Sequence, residues 1–155
     1  MTMRTLIVGF GNVLLSDDGF GVEVVKRLAD YGLPAHVETI EVGIGGMDLV
    51  LKLMDGFEAM IVVDAVSRGQ PPGTLYCFPP DAADIRFGAD EQIDPHFAEP
   101  TRSMKLAGVL GYLPENVTVV GCEPESCELG MSLTHAVDAA VDRAIETIRE
   151  MVGYE

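Results

Sequence analysis

Short apolar segments alternate with amphipathic helical segments along this chain of 155 residues. The apolar segments are short, rich in β-branched residues and bounded by turn residues, which is typical of strands. They cover Leu6–Phe10, Val37–Val42, Ala59–Val63, Thr74–Phe78 and Val117–Gly121. Helical periodicity covers Gly19–Asp30, Met47–Met54, Met104–Tyr112 and a last segment that runs from an N-cap at Thr134 to Val152. This alternation predicts an α/β fold, a three-layer α/β/α sandwich with a mostly parallel, roughly five-stranded twisted sheet. We expect Thr74–Phe78 at an edge and one domain over residues 1–155.

The residues after the first predicted strand indicate what kind of ligand the fold binds. Gly9 and Gly11 allow a tight turn at the carboxyl end of that strand, where open α/β sheets bind their ligands. A dinucleotide fingerprint is not completed, because Leu14 stands where its third glycine belongs. Asp17 and Asp18 also stand near the helix start, where a pyrophosphate needs positive potential. The loop therefore favours a cation or a proton.

The composition restricts the partners of the chain. Its formal charge is −15, from 25 acidic and 10 basic residues, so we expect it to repel nucleic acid and anionic membranes. No apolar stretch approaches the roughly 20 residues of a membrane span, and the first segment is a predicted strand, so we expect a cytoplasmic protein. Three cysteines, an odd number, argue against a disulfide framework.

Two aspartates and a histidine are the candidate site residues. Asp18 follows the first strand, Asp64 ends the third, and His96 lies in a long predicted loop, Pro79–Glu99. We expect the three side chains to form one exposed cluster at the carboxyl edge of the sheet. Two carboxylates and an imidazole suit a divalent first-row metal with open positions, and they could equally act as general acid and base. Asp17 or Asp18 could instead cap the following helix.

Taken together, these residues resemble the [NiFe]-hydrogenase maturation endopeptidases over nearly the whole chain. The opening signature of that family is similar to Gly9-Phe-Gly-Asn-Val-Leu-Leu-Ser-Asp-Asp-Gly-Phe-Gly21. Further matches are Val62-Val-Asp64-Ala, Pro95-His96 with Pro100, Gly121-Cys-Glu-Pro124 and Gly130-Met-Ser-Leu-Thr-His-Ala-Val137. The residues after His96, Phe-Ala-Glu-Pro-Thr-Arg-Ser-Met, depart from the more usual His-Gly-Met-type run. Asp18 also stands where some relatives have Glu, which shortens the reach of this side chain.

The resemblance implies an endopeptidase that removes a C-terminal extension from the hydrogenase large-subunit precursor after nickel insertion. It implies Asp18, Asp64 and His96 as metal ligands for a nickel that belongs to the substrate, although other divalent ions can occupy the site in vitro. The scissile bond is broken either through the metal, by polarisation of the carbonyl or by a metal-bound water, or by water that Asp17 or Asp64 activates as the catalytic base. The alternatives are a nickel carrier or chaperone, a related α/β protease with another precursor, and a nucleotide-binding module.

Overall fold

The computed structural model describes residues 3–42, 47–80 and 98–153, and its centre is one five-stranded sheet. The strands are β1 (Thr5–Phe10), β2 (Val37–Val42), β3 (Ala59–Ala65), β4 (Leu75–Phe78) and β5 (Asn116–Cys122). Their order across the sheet is β2-β1-β3-β5-β4. The first four in that order run parallel, and the edge strand β4 pairs with β5 in the antiparallel sense. The predicted α/β class, the mostly parallel sheet and the edge position of the fourth strand are confirmed.

Helices cover both faces of the sheet. In the described part of the chain the α-helices are α1 (Phe20–Leu28), α2 (Met47–Leu53), α3 (Ala98–Leu110) and α4 (His135–Met151). Helices α1 and α4 pack together on one face, and α2 and α3 pack together on the other. Alternate residues of β1 point to opposite faces, so Ile7 joins the core under α1 and α4 while Leu6 and Val8 join the core under α2 and α3. The result is the predicted three-layer sandwich.

Helix α3 differs from its prediction. It begins at Ala98, six residues before the predicted start at Met104, so the predicted loop Pro79–Glu99 is wrong over its last two residues. Pro100 is the third residue of the helix, and a proline is tolerated in the first turn because the N–H it lacks has no helical partner there. The other predicted elements agree with the observed ones to within about two residues at their ends.

The sheet order creates a topological switch point at the carboxyl ends of β1 and β3. The chain leaves β1 for β2 on one side and returns to β3 on the other, so the connections diverge above these neighbouring strands. Helix α1 begins directly over this point. A Cβ atom on Gly21 would overlap the carbonyl oxygens of Val63 and Phe10, and one on Gly9 would overlap the carbonyl oxygen of Gly21. Both glycines are therefore needed for backbone-to-backbone packing between α1 and the sheet.

No helix in the described ranges is long and apolar enough to cross a membrane.

Candidate active site

Asp17 is the most buried of the predicted site residues. It lies in a short 3₁₀ turn, Ser16–Gly19, and it is 0% exposed. Its Oδ2 atom accepts hydrogen bonds from the backbone N–H groups of Glu125 and Ser126, at 2.8 and 3.0 Å. Thr134 donates its backbone N–H to Oδ1 and its hydroxyl to Oδ2, both at 2.8 Å. Asp17 thus connects the turn, the loop after β5 and the start of α4.

This arrangement argues against Asp17 as a base that takes a proton from water. A carboxylate offers about four lone-pair positions, and four donors of the same chain already surround this one. Asp17 does not cap α1 either, since the N-cap of α1 is Gly19 and no side chain bonds there. The catalytic role of Asp17 stays a prediction, and its four hydrogen bonds show that this side chain joins the turn to the loop after β5 and to α4. Thr134 occupies the predicted N-cap of α4, but its hydroxyl bonds to Asp17 rather than to its own helix.

Asp18 is half-buried and follows Asp17 in the same turn. Its Oδ2 atom accepts the backbone N–H of Asn12 at 2.9 Å, which closes the loop after β1 over the start of the helix. The loop can make this turn because Gly11 has a φ of 141°, and a Cβ on Gly11 would overlap the carbonyl oxygen of Asp18. A side chain at position 11 would therefore displace the backbone of Asp18.

Asp64 is the second-to-last residue of β3, which lies next to β1 in the sheet. Its Oδ1 atom accepts the backbone N–H of Ala65 at 2.8 Å. The turn that carries Asp18 packs against β3, so both carboxylates lie at the carboxyl edge of neighbouring strands. Asp64 is 1% exposed, so the expectation of an exposed cluster is wrong for this residue.

His96, the third predicted ligand, lies outside the described residues, as does most of the predicted loop. Within residues 3–42, 47–80 and 98–153, no three His, Cys, Asp or Glu side chains are arranged to hold a metal ion. Of the three predicted metal ligands, the structure therefore describes only Asp18 and Asp64, and the three-residue site stays a prediction. Carboxylate oxygens alone suit hard ions such as Mg²⁺ or Mn²⁺, and an added imidazole shifts the preference towards ions such as Ni²⁺ and Zn²⁺.

Cys127 lies within the electrostatic influence of all three aspartates. Burial raises the pKa of this thiol to about 11, and the negative charges of Asp18, Asp17 and Asp64 act in the same direction. A thiol is disfavoured as a thiolate near carboxylates, because the two negative charges repel. Cys127 is thus a neutral thiol at neutral pH, which argues against its acting as a nucleophile.

Glu123 was not among the predicted site residues, yet it orders the loop after β3. It is buried, and its Oε1 atom accepts the backbone N–H groups of Arg68 and Gln70, at 2.8 and 3.3 Å, together with the hydroxyl of Tyr76. Burial acts to raise the pKa of Glu123, but these hydrogen bonds outweigh it and hold the pKa below its usual value. A carboxylate directly after an apolar strand, in Gly121-Cys-Glu-Pro124, is the signal that could have identified it.

Fold and site together define a class: a small doubly wound α/β domain with two carboxylates at its switch point. A family model described as hydrogenase maturation protease matches residues 22–151. The chain belongs to the hydrogenase maturation protease family. The matched range contains Asp64 and α4, while the motif around Asp18 precedes it.

Individual relatives agree with this family. The chain is 39% identical over 151 residues to the hydrogenase expression/formation protein HupD of Rhodobacter capsulatus, covering 96% of this chain and 71% of the relative. It is 34% identical over 148 residues to the hydrogenase 2 maturation protease of Escherichia coli strain K12, covering 94% and 88%. The structure matches the hydrogenase maturating endopeptidase HybD from E. coli with a TM-score of 0.83 and 32% identity, covering 97% and 92% of the two chains. The predicted resemblance, the fold and the assignment as a peptidase are thereby confirmed.

Proposed function

We propose that this protease removes the C-terminal extension of a nickel-loaded [NiFe]-hydrogenase large-subunit precursor. Membership of the hydrogenase maturation protease family supports the hydrogenase substrate. The observation that carries the proposal is the position of Asp18 and Asp64 at the carboxyl ends of the neighbouring strands β1 and β3. Ligands of open α/β sheets bind at this point, and two carboxylates there favour a cationic group on the substrate.

The nickel is part of the substrate in this proposal. Asp18 and Asp64 supply oxygen ligands and His96 supplies a nitrogen ligand, so that the protease recognises only a precursor into which the metal has been inserted. Other divalent ions can bind the same residues in vitro, because carboxylate and imidazole ligands accept several first-row ions. The precursor is the partner, and the reaction takes place in the cytoplasm, where we expect the metal to be inserted.

The peptide bond is hydrolysed by a water molecule for which Asp64 is the base. Asp64 is preferred to Asp17 because four donors of this chain already surround the Asp17 carboxylate, whereas Asp64 lies at the carboxyl end of β3, where ligands of open α/β sheets bind. A general base must lie within hydrogen-bond reach of the water it activates, and the end of β3 adjoins the proposed metal ligands. The alternative is that nickel polarises the scissile carbonyl.

The test compares matched precursors with and without inserted nickel. Purified protease is incubated with each, and loss of the C-terminal extension is followed by mass spectrometry. We expect cleavage of the nickel-loaded form only. Cleavage of both forms at the same rate would contradict recognition through nickel, and cleavage of neither form, with stable nickel in the purified protein, would favour a nickel carrier.

A further inference from the structure

Four large apolar side chains are exposed beside the candidate active site. They are Val13, Leu14, Leu129 and Met131, with exposed fractions of 39%, 51%, 87% and 80%. Isolated apolar residues on a surface need no explanation, but a contiguous group marks an interaction site. We refer to these four residues as the loop-pair surface, because Val13 and Leu14 lie in the loop after β1 and the other two lie in the loop after β5.

Hydrogen bonds join the two loops into one unit. The backbone N–H of Ser16 donates to the carbonyl of Gly130 at 2.8 Å, and the N–H of Gly130 donates to the carbonyl of Leu14 at 2.9 Å. The hydroxyl of Ser16 donates to the carbonyl of Glu128, also at 2.8 Å. The apolar side chains are therefore presented by an ordered backbone, and binding a partner requires little additional ordering of the loops.

The loop-pair surface borders the candidate active site directly. Asp18 lies four residues after Leu14 and accepts the backbone N–H of Asn12, in the same loop. Asp17 donates its own N–H to the carbonyl of Ser126, three residues before Leu129. Among the described residues, the loop-pair surface and Asp18 therefore belong to the same pair of hydrogen-bonded loops.

Charged side chains flank the loop-pair surface asymmetrically. Glu125 and Glu128 are exposed on the side of the loop after β5, and within the described ranges neither forms an ion pair. On the side of α1, exposed Lys26 lines two shallow depressions of about 350 and 400 Å³ that adjoin Val13. Lys26 likewise has no ion pair among the residues that the structure describes. Glu41 lines the larger depression beside Lys26, so only the side of the glutamates carries charge of one sign. A complementary partner carries a basic group opposite Glu125 and Glu128.

We propose that the loop-pair surface binds the large-subunit precursor, through an apolar segment with a basic residue opposite Glu125 and Glu128. This inference depends on the proposed function and identifies where its substrate docks. A second copy of the chain is disfavoured as the occupant because it would bring together two chains of formal charge −15 each. Nucleic acid and anionic membranes are disfavoured for the same reason.

The test replaces exposed side chains whose loss leaves the core intact. Leu129→Asp and Met131→Asp are compared with Val109→Asp, whose side chain is 79% exposed near the end of α3, at the opposite edge of the sheet. We expect the two loop variants to raise KM for the nickel-loaded precursor by on the order of tenfold, with kcat within about twofold of wild type. We expect Val109→Asp to change neither constant.

A charge reversal tests the proposed basic group of the partner. We expect Glu128→Lys to raise KM several-fold, and the matched control Glu115→Lys, also exposed but beside β5 at the opposite edge, to leave it unchanged. Unfolding curves of all variants check that the fold is retained.

Unchanged KM in the loop variants, or equal losses in the controls, would overturn the inference while leaving the proposed function intact. Wild-type protein that neither binds nor cleaves the precursor would overturn both, and a change from dimer to monomer in the loop variants at constant KM would indicate self-association instead.

Discussion

Asp17 accepts hydrogen bonds from both the backbone N–H and the hydroxyl of Thr134, each at 2.8 Å, although 117 residues separate them in sequence. This pair fixes the N-terminus of α4 against the turn that carries Asp18. The N-terminal end of a helix carries a partial positive charge, so a buried carboxylate is favourable there. Asp17 therefore connects the turn that carries its neighbour Asp18 to the N-terminus of α4.

Removing the hydroxyl of Thr134 should weaken this connection by a measurable amount. We expect Thr134→Val to lower the free energy of unfolding by about 1 kcal/mol, because one hydrogen bond to a buried carboxylate is lost while the side-chain volume is kept. Thr134→Ser retains the hydroxyl and should remain within about 0.5 kcal/mol of wild type. Urea unfolding followed by circular dichroism measures both variants, and an equal loss in the two would contradict a dominant contribution of the hydroxyl, because Thr134→Ser keeps it.

Asp17→Asn should have a larger effect. The amide nitrogen cannot accept a hydrogen bond, so at least one of the four donors around this position loses its partner, at a cost of about 2–4 kcal/mol of stability. Asp30→Asn, at an exposed position after α1, is the control and should be neutral. If Asp17 positions Asp18, the folded fraction of Asp17→Asn should also process precursor more slowly. Wild-type activity in that fraction would mean that Asp17 stabilises the fold only.

The three proposed ligands should be needed for processing. We expect Asp18→Asn, Asp64→Asn and His96→Ala each to reduce cleavage of the nickel-loaded precursor at least a hundredfold, because each loses a ligand of the substrate nickel. If Asp64 is also the base, a large excess of Asp64→Asn bound to loaded precursor should remain inactive. Single-turnover cleavage followed by mass spectrometry separates this loss of chemistry from weak binding. Recovery of the Asp64→Asn rate at high enzyme concentration would exclude Asp64 as the base.

Gly21 should not tolerate a side chain. We expect Gly21→Ala to lower the free energy of unfolding by about 1–3 kcal/mol, since its Cβ overlaps the carbonyl oxygens of Val63 and Phe10 and must push α1 away from the sheet. Gly108 is the matched control. It lies inside α3 with no atom closer than 3.8 Å to its added Cβ, so Gly108→Ala should stabilise the protein by about 0.5–1 kcal/mol. Thermal unfolding of the two variants should therefore shift in opposite directions.

Stability should decrease in alkaline solution because of buried groups that resist ionisation. Burial raises the pKa of Cys122 from 9.0 to about 12, and burial and the hydrogen bond to Glu123 raise the pKa of Tyr76 from 10.0 to about 12. Above pH 9 the unfolded chain releases these protons before the folded chain does, so the free energy of unfolding falls as the pH rises towards 12. Cys122→Ala should make this decrease shallower between pH 9 and 11, whereas an identical slope would exclude Cys122 as its source.

The strands were predictable because local composition determines them. Val37–Val42 has β-branched residues at four of its six positions, and its predicted and observed ends coincide. The start of α3 was not predictable in the same way, because Pro100 reads as a helix breaker unless its place in the first turn is known. The role of Asp17 could not be derived from spacing, since its partners lie 108 to 117 residues away and only the folded chain brings them together. For the candidate site, the sequence predicted the placement of Asp18 and Asp64 at the carboxyl ends of two strands, because the ends of these strands follow from local composition.

The long sequence separation between Asp17 and its partners has a consequence for synthesis of the protein. The strand and the turn that carry Asp18 leave the ribosome early, but the backbone groups that hold the turn belong to Glu125, Ser126 and Thr134. Contacts between such distant residues form late in folding, because a long loop of chain must first be closed. A nascent chain that ends before Thr134 therefore lacks two of the four donors that hold Asp17, the residue next to Asp18.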